Sequence, residues 1–133
     1  MKQSCVEVIK NLGEFEFFEG YFIGRIFEGA NAGSDFVDAL SSLIQKHSPG
    51  KPIVYISDRV HSYSLDPVAT MELIERNQIC YAAVVTYTRQ QSRIFSYEVR
   101  SIKGAELRSF PNLAEAIRWA KSVSQGLNRV GQS

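Results

Sequence analysis

From Ser34 to Ser124 the chain alternates helix-period and strand-like segments without a break, and that order limits the fold more than any other feature. Ser34 caps a helix to about His47, with Phe36, Leu40, Leu43 and Ile44 on one face and Val37 and Ala39 beside them. Ser48-Pro49-Gly50 ends it. Pro52 to Ser57 follows as a short buried strand rich in β-branched residues. Asp66 as N-cap and Pro67 at the first helical position open a second helix to about Asn77. Ile79 to Thr86 is the most continuous apolar run, which marks a central strand covered on both faces. Thr88 and Gln91 form a capping box for a third helix to about Lys103, closed by Gly104. Glu106 to Phe110 reads as a short strand. Asn112 and Glu115 open a last helix through about Ser124, with Leu113, Ala116, Ile117, Ala120 and Val123 as its apolar stripe. Residues 125–133 are polar and non-periodic and read as a frayed tail beyond a single domain of residues 1–124.

The beginning of the chain differs in kind. Cys5 to Ile9 alternates as a strand, and two aromatic runs, Phe15–Phe17 and Tyr21–Phe27, flank Glu19-Gly20 as a hairpin would. Strict alternation after a hairpin calls for crossover connections between parallel neighbours. The expected fold is therefore α/β: a mixed sheet with an antiparallel N-terminal hairpin, then β-α-β-α-β-α-β-α with parallel neighbours, and about four helices. Phe15, Phe17, Phe18, Tyr21, Phe22 and Phe27 crowd the hairpin. A hairpin needs a cover for its second face, so Phe18 or Tyr21 is expected to supply a dimer contact or to line an apolar ligand pocket.

At 133 residues the chain is one domain of ordinary size. Its net charge of +1 gives no global pull toward nucleic acid or membrane. The charge is uneven: residues 1–48 carry 4 basic and 7 acidic side chains, and residues 89–133 carry 8 and 3. Arg89, Arg93 and Arg100 return to one face of the third helix, beside Lys103 and Tyr97. That face is solvated or receives an acidic partner, including the acidic N-terminal half of a second copy in a homodimer. RNA is a poorer fit, because the aromatic residues sit in strands. No apolar run reaches the ~20 residues of a membrane span, and no signal-peptide order is present. A cytoplasmic protein with reduced thiols is the expectation. Cys5 and Cys80 lie in apolar runs, where free cysteine packs as a small hydrophobe.

Chemistry is sparse. Gly29 to Gly33 lacks a Walker lysine and the GxGxxG spacing, so it reads as a plain connection. The richest stretch is KPIVYISDRVHSYSLDP, residues 51–67, a strand feeding a polar loop and a helix start. Such a loop is where α/β folds place recognition or catalysis. Asp58, Arg59 and His61 with Tyr63 make a small polar set able to bind an anion or a partner carboxylate. Asp66 and Ser64 suit capping and turn formation. The same helix start would stabilise a phosphate on Ser64. His47 is remote from His61 in sequence and no metal-ligand spacing exists, so no metal and no cofactor is read. A thiol nucleophile is not assembled either: Cys80 begins its strand, whereas His61 follows the end of another.

Three segments resemble the STAS domain, and within it the SpoIIAA-like family of anti-sigma-factor-antagonist-like proteins. They are PIVYISDRVHSYSLDPVATM, the strand AAVVTYT leading directly into a helix, and the ending LRSFPNLAEAIRWAKS. The resemblance covers roughly residues 20–124. It implies a stand-alone bacterial signalling domain, with a serine near the helix start after the third strand phosphorylated by a partner kinase. Ser62 and Ser64 match that position by neighbourhood, and Asp66 stands where the acceptor itself would be. The family's Asp-Ser-Ser-Gly run is absent. SpoIIAA-like folds also resemble lipid-binding CRAL-TRIO domains, which implies a small hydrophobic ligand.

Together these readings describe a non-enzymatic interaction module acting through residues 57–67. Its partner would be a protein, kinase or anti-sigma-like, or a second copy of the chain. The alternative is a protein that binds a small hydrophobic ligand or lipid.

Overall fold

The computed structural model describes residues 4–61 and 64–131. In chain order the elements are β1 (Cys5–Ile9), β2 (Gly13–Phe17), β3 (Tyr21–Ile26), β4 (Asn31–Ala32), α1 (Ser34–His47) and β5 (Val54–Asp58). They continue with β6 (Ser64–Leu65), α2 (Pro67–Arg76), β7 (Tyr81–Val85), α3 (Arg89–Ser101), β8 (Glu106–Phe110) and α4 (Leu113–Gly131). The main sheet has six strands in the order β1-β2-β3-β5-β7-β8. β1, β2 and β3 pair antiparallel; β3, β5, β7 and β8 pair parallel. This is the α/β mixed sheet expected from the element order.

Alternation along the strands sorts the core into two layers. Phe15, Phe17, Phe22 and Ile26 point to one face, beneath Val37, Leu40 and Ile44 of α1 and Leu73 of α2. Tyr21, Ile23, Val54, Ile56, Ala83 and Val85 point to the other, against Ala116 and Ala120 of α4. Both alanines are fully buried. Fully buried Phe15 and Phe22 each contribute about 2–3 kcal/mol through the apolar area they remove from water. Gly24 lets β3 pass between two rings: a Cβ there would stand 2.9 Å from ring atoms of both Phe15 and Tyr55.

Several local expectations change. α4 does not stop at Ser124 but runs to Gly131, because Leu127 extends the apolar stripe one turn past Val123 and packs on the α4-side core. The supposed frayed tail is therefore mostly helix. Gly33, not Ser34, is the N-cap of α1, and no side chain caps it. α3 ends at Ser101, since Ile102 takes an extended conformation and is buried. Within the Gly29–Gly33 connection, β4 pairs in parallel with β6. Neither cysteine is packed away: Cys5 starts the edge strand and Cys80 precedes β7, and both are exposed. Tyr21 is buried and Phe18 stacks on it at 4.8 Å, so neither offers a bare contact surface. The exposed apolar side chains of the N-terminal strands are Val6 and Val8.

Candidate functional site

The parallel strands β3, β5 and β7 end side by side, and their carboxyl ends carry most of the polar chemistry. Asp58 closes β5 and is only 3% exposed. It accepts a hydrogen bond from Arg25 Nε of β3 at 3.1 Å and from the Tyr87 hydroxyl, just beyond β7, at 2.6 Å. Arg25 also lies 3.7 Å from Glu16 on β2. Alternation explains the meeting: Arg25, Asp58 and Tyr87 continue the α4-side rows of Ile23, Ile56 and Val85. Burial first, then the hydrogen bond and charge of Asp58, push the Tyr87 phenol up to about 12, against an opposing effect from Arg25.

Arg59 turns the other way. It is buried, and its Nη2 donates to Glu98 Oε1 of α3 at 2.6 Å. Its amide donates to the Val85 carbonyl, and its own carbonyl accepts from Gln91 Nε2 at 2.8 Å. The Gln91 amide also donates to Thr88 Oγ1, and its side-chain Oε1 accepts from the Tyr87 amide. The predicted capping box is thus present, with its return bond one residue earlier than the usual pattern.

The set expected to face a partner is therefore split. Asp58 and Arg59 are engaged inside the fold, because one closes the sheet edge and the other clamps α3. His61 is exposed. Ser62 lies outside the described residues. Ser64 contributes its backbone to β6, paired with Asn31. Asp66 caps α2 as expected, its Oδ1 accepting from the Val68 amide at 3.0 Å. Arg89, Arg93 and Arg100 are all exposed on α3, with Arg100 over the Tyr97 ring at 5.8 Å. Through Arg59–Glu98 the loop after β5 and the basic helix become neighbours, which spacing did not indicate.

Beneath α3 lies a cavity that sequence reasoning placed elsewhere. Tyr55, Ala82, Val84 and Leu107 of the sheet form its floor, and Phe95 and Ile102 its roof. Ser57, Arg59, Thr70 and Glu98 supply polar groups at its border. The space open to the centre of a water molecule is about 50 Å³. Two features of the chain create it. Ser57 and Ala82 are small residues on the helix-facing side of central strands. Phe95 is the one buried side chain of α3, so that helix is held by little apolar contact. A larger open groove of about 380 Å³ lies near Cys80, bounded by Met71, Ile79 and Lys103. It is a surface depression at the amino-terminal end of β7.

Among the described residues, no helix is long and apolar enough to cross a membrane. No family model, no curated protein and no solved structure matches this chain.

Proposed function

We propose that this protein is a non-enzymatic, STAS-like binding module that takes a small, mainly apolar molecule between α3 and the sheet. The cavity carries this reading. Apolar walls with a few polar groups at one border are the usual composition of a small-molecule site. A ligand with an apolar body and one polar end fits such a lining, with the polar end near Ser57, Thr70 and the Arg59–Glu98 pair. A ligand larger than the resting volume requires α3, whose one buried side chain is Phe95, to lift from the sheet. Titration with a fluorescent fatty acid, and native mass spectrometry of the freshly purified chain, test the reading. Ala82→Leu fills the floor of the cavity and is expected to abolish binding, while Ile94→Ala on the exposed side of α3 leaves it intact. Failure of the wild-type chain to bind any apolar probe sinks the reading.

A second reading, recognition of a protein partner through residues 57–67, is favoured by a different observation. Phe27, Val60 and Tyr87 follow the ends of three neighbouring strands and are 37%, 47% and 48% exposed. Val68, in the first turn of α2, is 69% exposed. Affinity capture with wild type and with Val60→Asp separates the readings. A protein retained by the first and lost by the second supports docking at this edge; identical captures from both remove it.

A further inference from the structure

We infer that Cys5, Glu7 and His47 form a zinc-type metal site at β1, the outer strand of the sheet, three strands or more across from the β5, β7 and β8 floor of the cavity and independent of it. Alternation along β1 puts Cys5 and Glu7 on one face, opposite Phe17 and Phe15 of β2. That face lies under the end of α1, whose last residue is His47. The His47 ring is held by stacking on Phe17, at 4.3 Å between centroids and 15° between planes. One donor atom from each of Cys5, Glu7 and His47 lies within 4.8 Å of the other two.

The donor set selects the metal. A thiolate, an imidazole and a carboxylate together suit a borderline-soft cation that accepts S, N and O, which is the ligand chemistry of Zn²⁺. Tetrahedral zinc with bonds of about 2.0–2.3 Å spaces its ligands roughly 3.3–3.7 Å apart. Donors that now lie within 4.8 Å of one another have roughly 1 Å to close to reach that spacing. Glu7 Oε2 now binds His47 Nε2 at 2.6 Å and Lys46 Nζ at 2.8 Å. The Lys46 side chain is 63% exposed, so its ammonium moves into water when a cation takes its place beside Glu7. The cation would also sit at the negative pole of α1. Three protein ligands leave a fourth position for water or for a donor from another molecule. An ordinary ion pair between Glu7, Lys46 and His47 has no use for a thiol, so Cys5 is the discriminating residue.

The test uses the full chain, reduced and stripped with chelator, titrated with Co²⁺ and then challenged with Zn²⁺. The expected result is one Co²⁺ per chain with a sulfur-to-cobalt charge-transfer band, displaced by Zn²⁺. Cys5→Ser is expected to remove that band and to weaken Zn²⁺ binding by about tenfold or more; His47→Gln and Glu7→Gln are expected to weaken it comparably. Cys80→Ser, the control for the other exposed thiol, leaves the titration unchanged. Far-ultraviolet circular dichroism confirms that each variant is folded. A titration without the charge-transfer band, or a band that survives Cys5→Ser, overturns the assignment.

Discussion

The Tyr87 hydroxyl donates to Asp58 Oδ1 at 2.6 Å and so ties the end of β7 to the end of β5. With Arg25 on the second carboxylate oxygen, Asp58 joins three adjacent strand ends through one buried side chain. Burial of the phenol, together with this bond, keeps it protonated and gives a pH dependence of defined sign. The folded-state pKa of Tyr87 is raised to about 12 from 10.0. Between those values the unfolded chain releases the proton and the folded chain keeps it. The stabilisation is therefore fully present below pH 10 and is lost as pH rises through about 12. Urea unfolding of wild type and Tyr87→Phe, at pH 8 and through the alkaline range, measures it. The variant should be less stable at pH 8 by about 1 kcal/mol. The gap should then narrow through the alkaline range, and a constant gap contradicts the assignment.

Arg59–Glu98 is an ion pair that helps hold α3 above the cavity, with side chains 10% and 17% exposed. Removing one partner of a largely buried pair leaves the other charge poorly solvated. Glu98→Gln should lower stability by roughly 1–3 kcal/mol. The double variant Arg59→Met/Glu98→Leu should recover part of that loss, since an apolar replacement leaves no charge to desolvate. Chemical denaturation of wild type, Arg59→Met, Glu98→Leu and the double variant gives the coupling energy. Coupling near zero means the contact does not hold α3.

The strands and helices were legible because their apolar periods run on through each element, and the caps at Asp66, Thr88 and Asn112 rest on short-range hydrogen bonds that spacing reveals. What lay hidden depends on which side chains meet across the sheet. Asp58 and Arg59 looked like a solvated loop, yet each continues a strand direction that carries it to a partner on another element, Arg25 or Glu98. Cys5, Glu7 and His47 are far apart in sequence, and only the packing of α1 over β1 joins them. The aromatic hairpin suggests an apolar hollow, but its large rings fill the space. It lies where Ser57 and Ala82 leave space under α3. α4 runs past Val123 because Leu127 continues its apolar stripe beyond the polar stretch Ser124 to Gly126.

Asn77 joins α1 to α2 within the core. It is 3% exposed; its Nδ2 donates to Ser41 Oγ at 2.9 Å and to the Leu73 carbonyl at 3.0 Å, and its Oδ1 accepts from Gln45 at 3.5 Å. Ser41 is also buried, so Asn77→Ala leaves a polar group with fewer partners as well as a small void. The expected loss is about 2–3 kcal/mol by denaturant unfolding. Asn77→Asp should cost at least as much, because it brings a charge into the core beside a hydroxyl. A loss below half a kilocalorie for both would show that the helix pair is held by apolar packing alone.

Gly20 sits at the hairpin turn with φ +87°, and a Cβ there would stand 2.0 Å from Ser124 Oγ of α4. Two penalties follow for Gly20→Ala. The left-handed backbone costs a non-glycine residue about 1–2 kcal/mol, and the approach to Ser124 forces the turn away from α4. Ser124→Gly separates the two, since it removes both the Oγ and the Cβ that lies 3.1 Å from the added methyl. By itself Ser124→Gly should cost about 1 kcal/mol, from glycine in a helix interior. Combined with Gly20→Ala it should cost less than the sum of the singles, because the steric part disappears and only the backbone strain remains. Thermal or urea unfolding of the four proteins supplies the coupling. Strict additivity would mean that the hairpin turn and α4 do not touch.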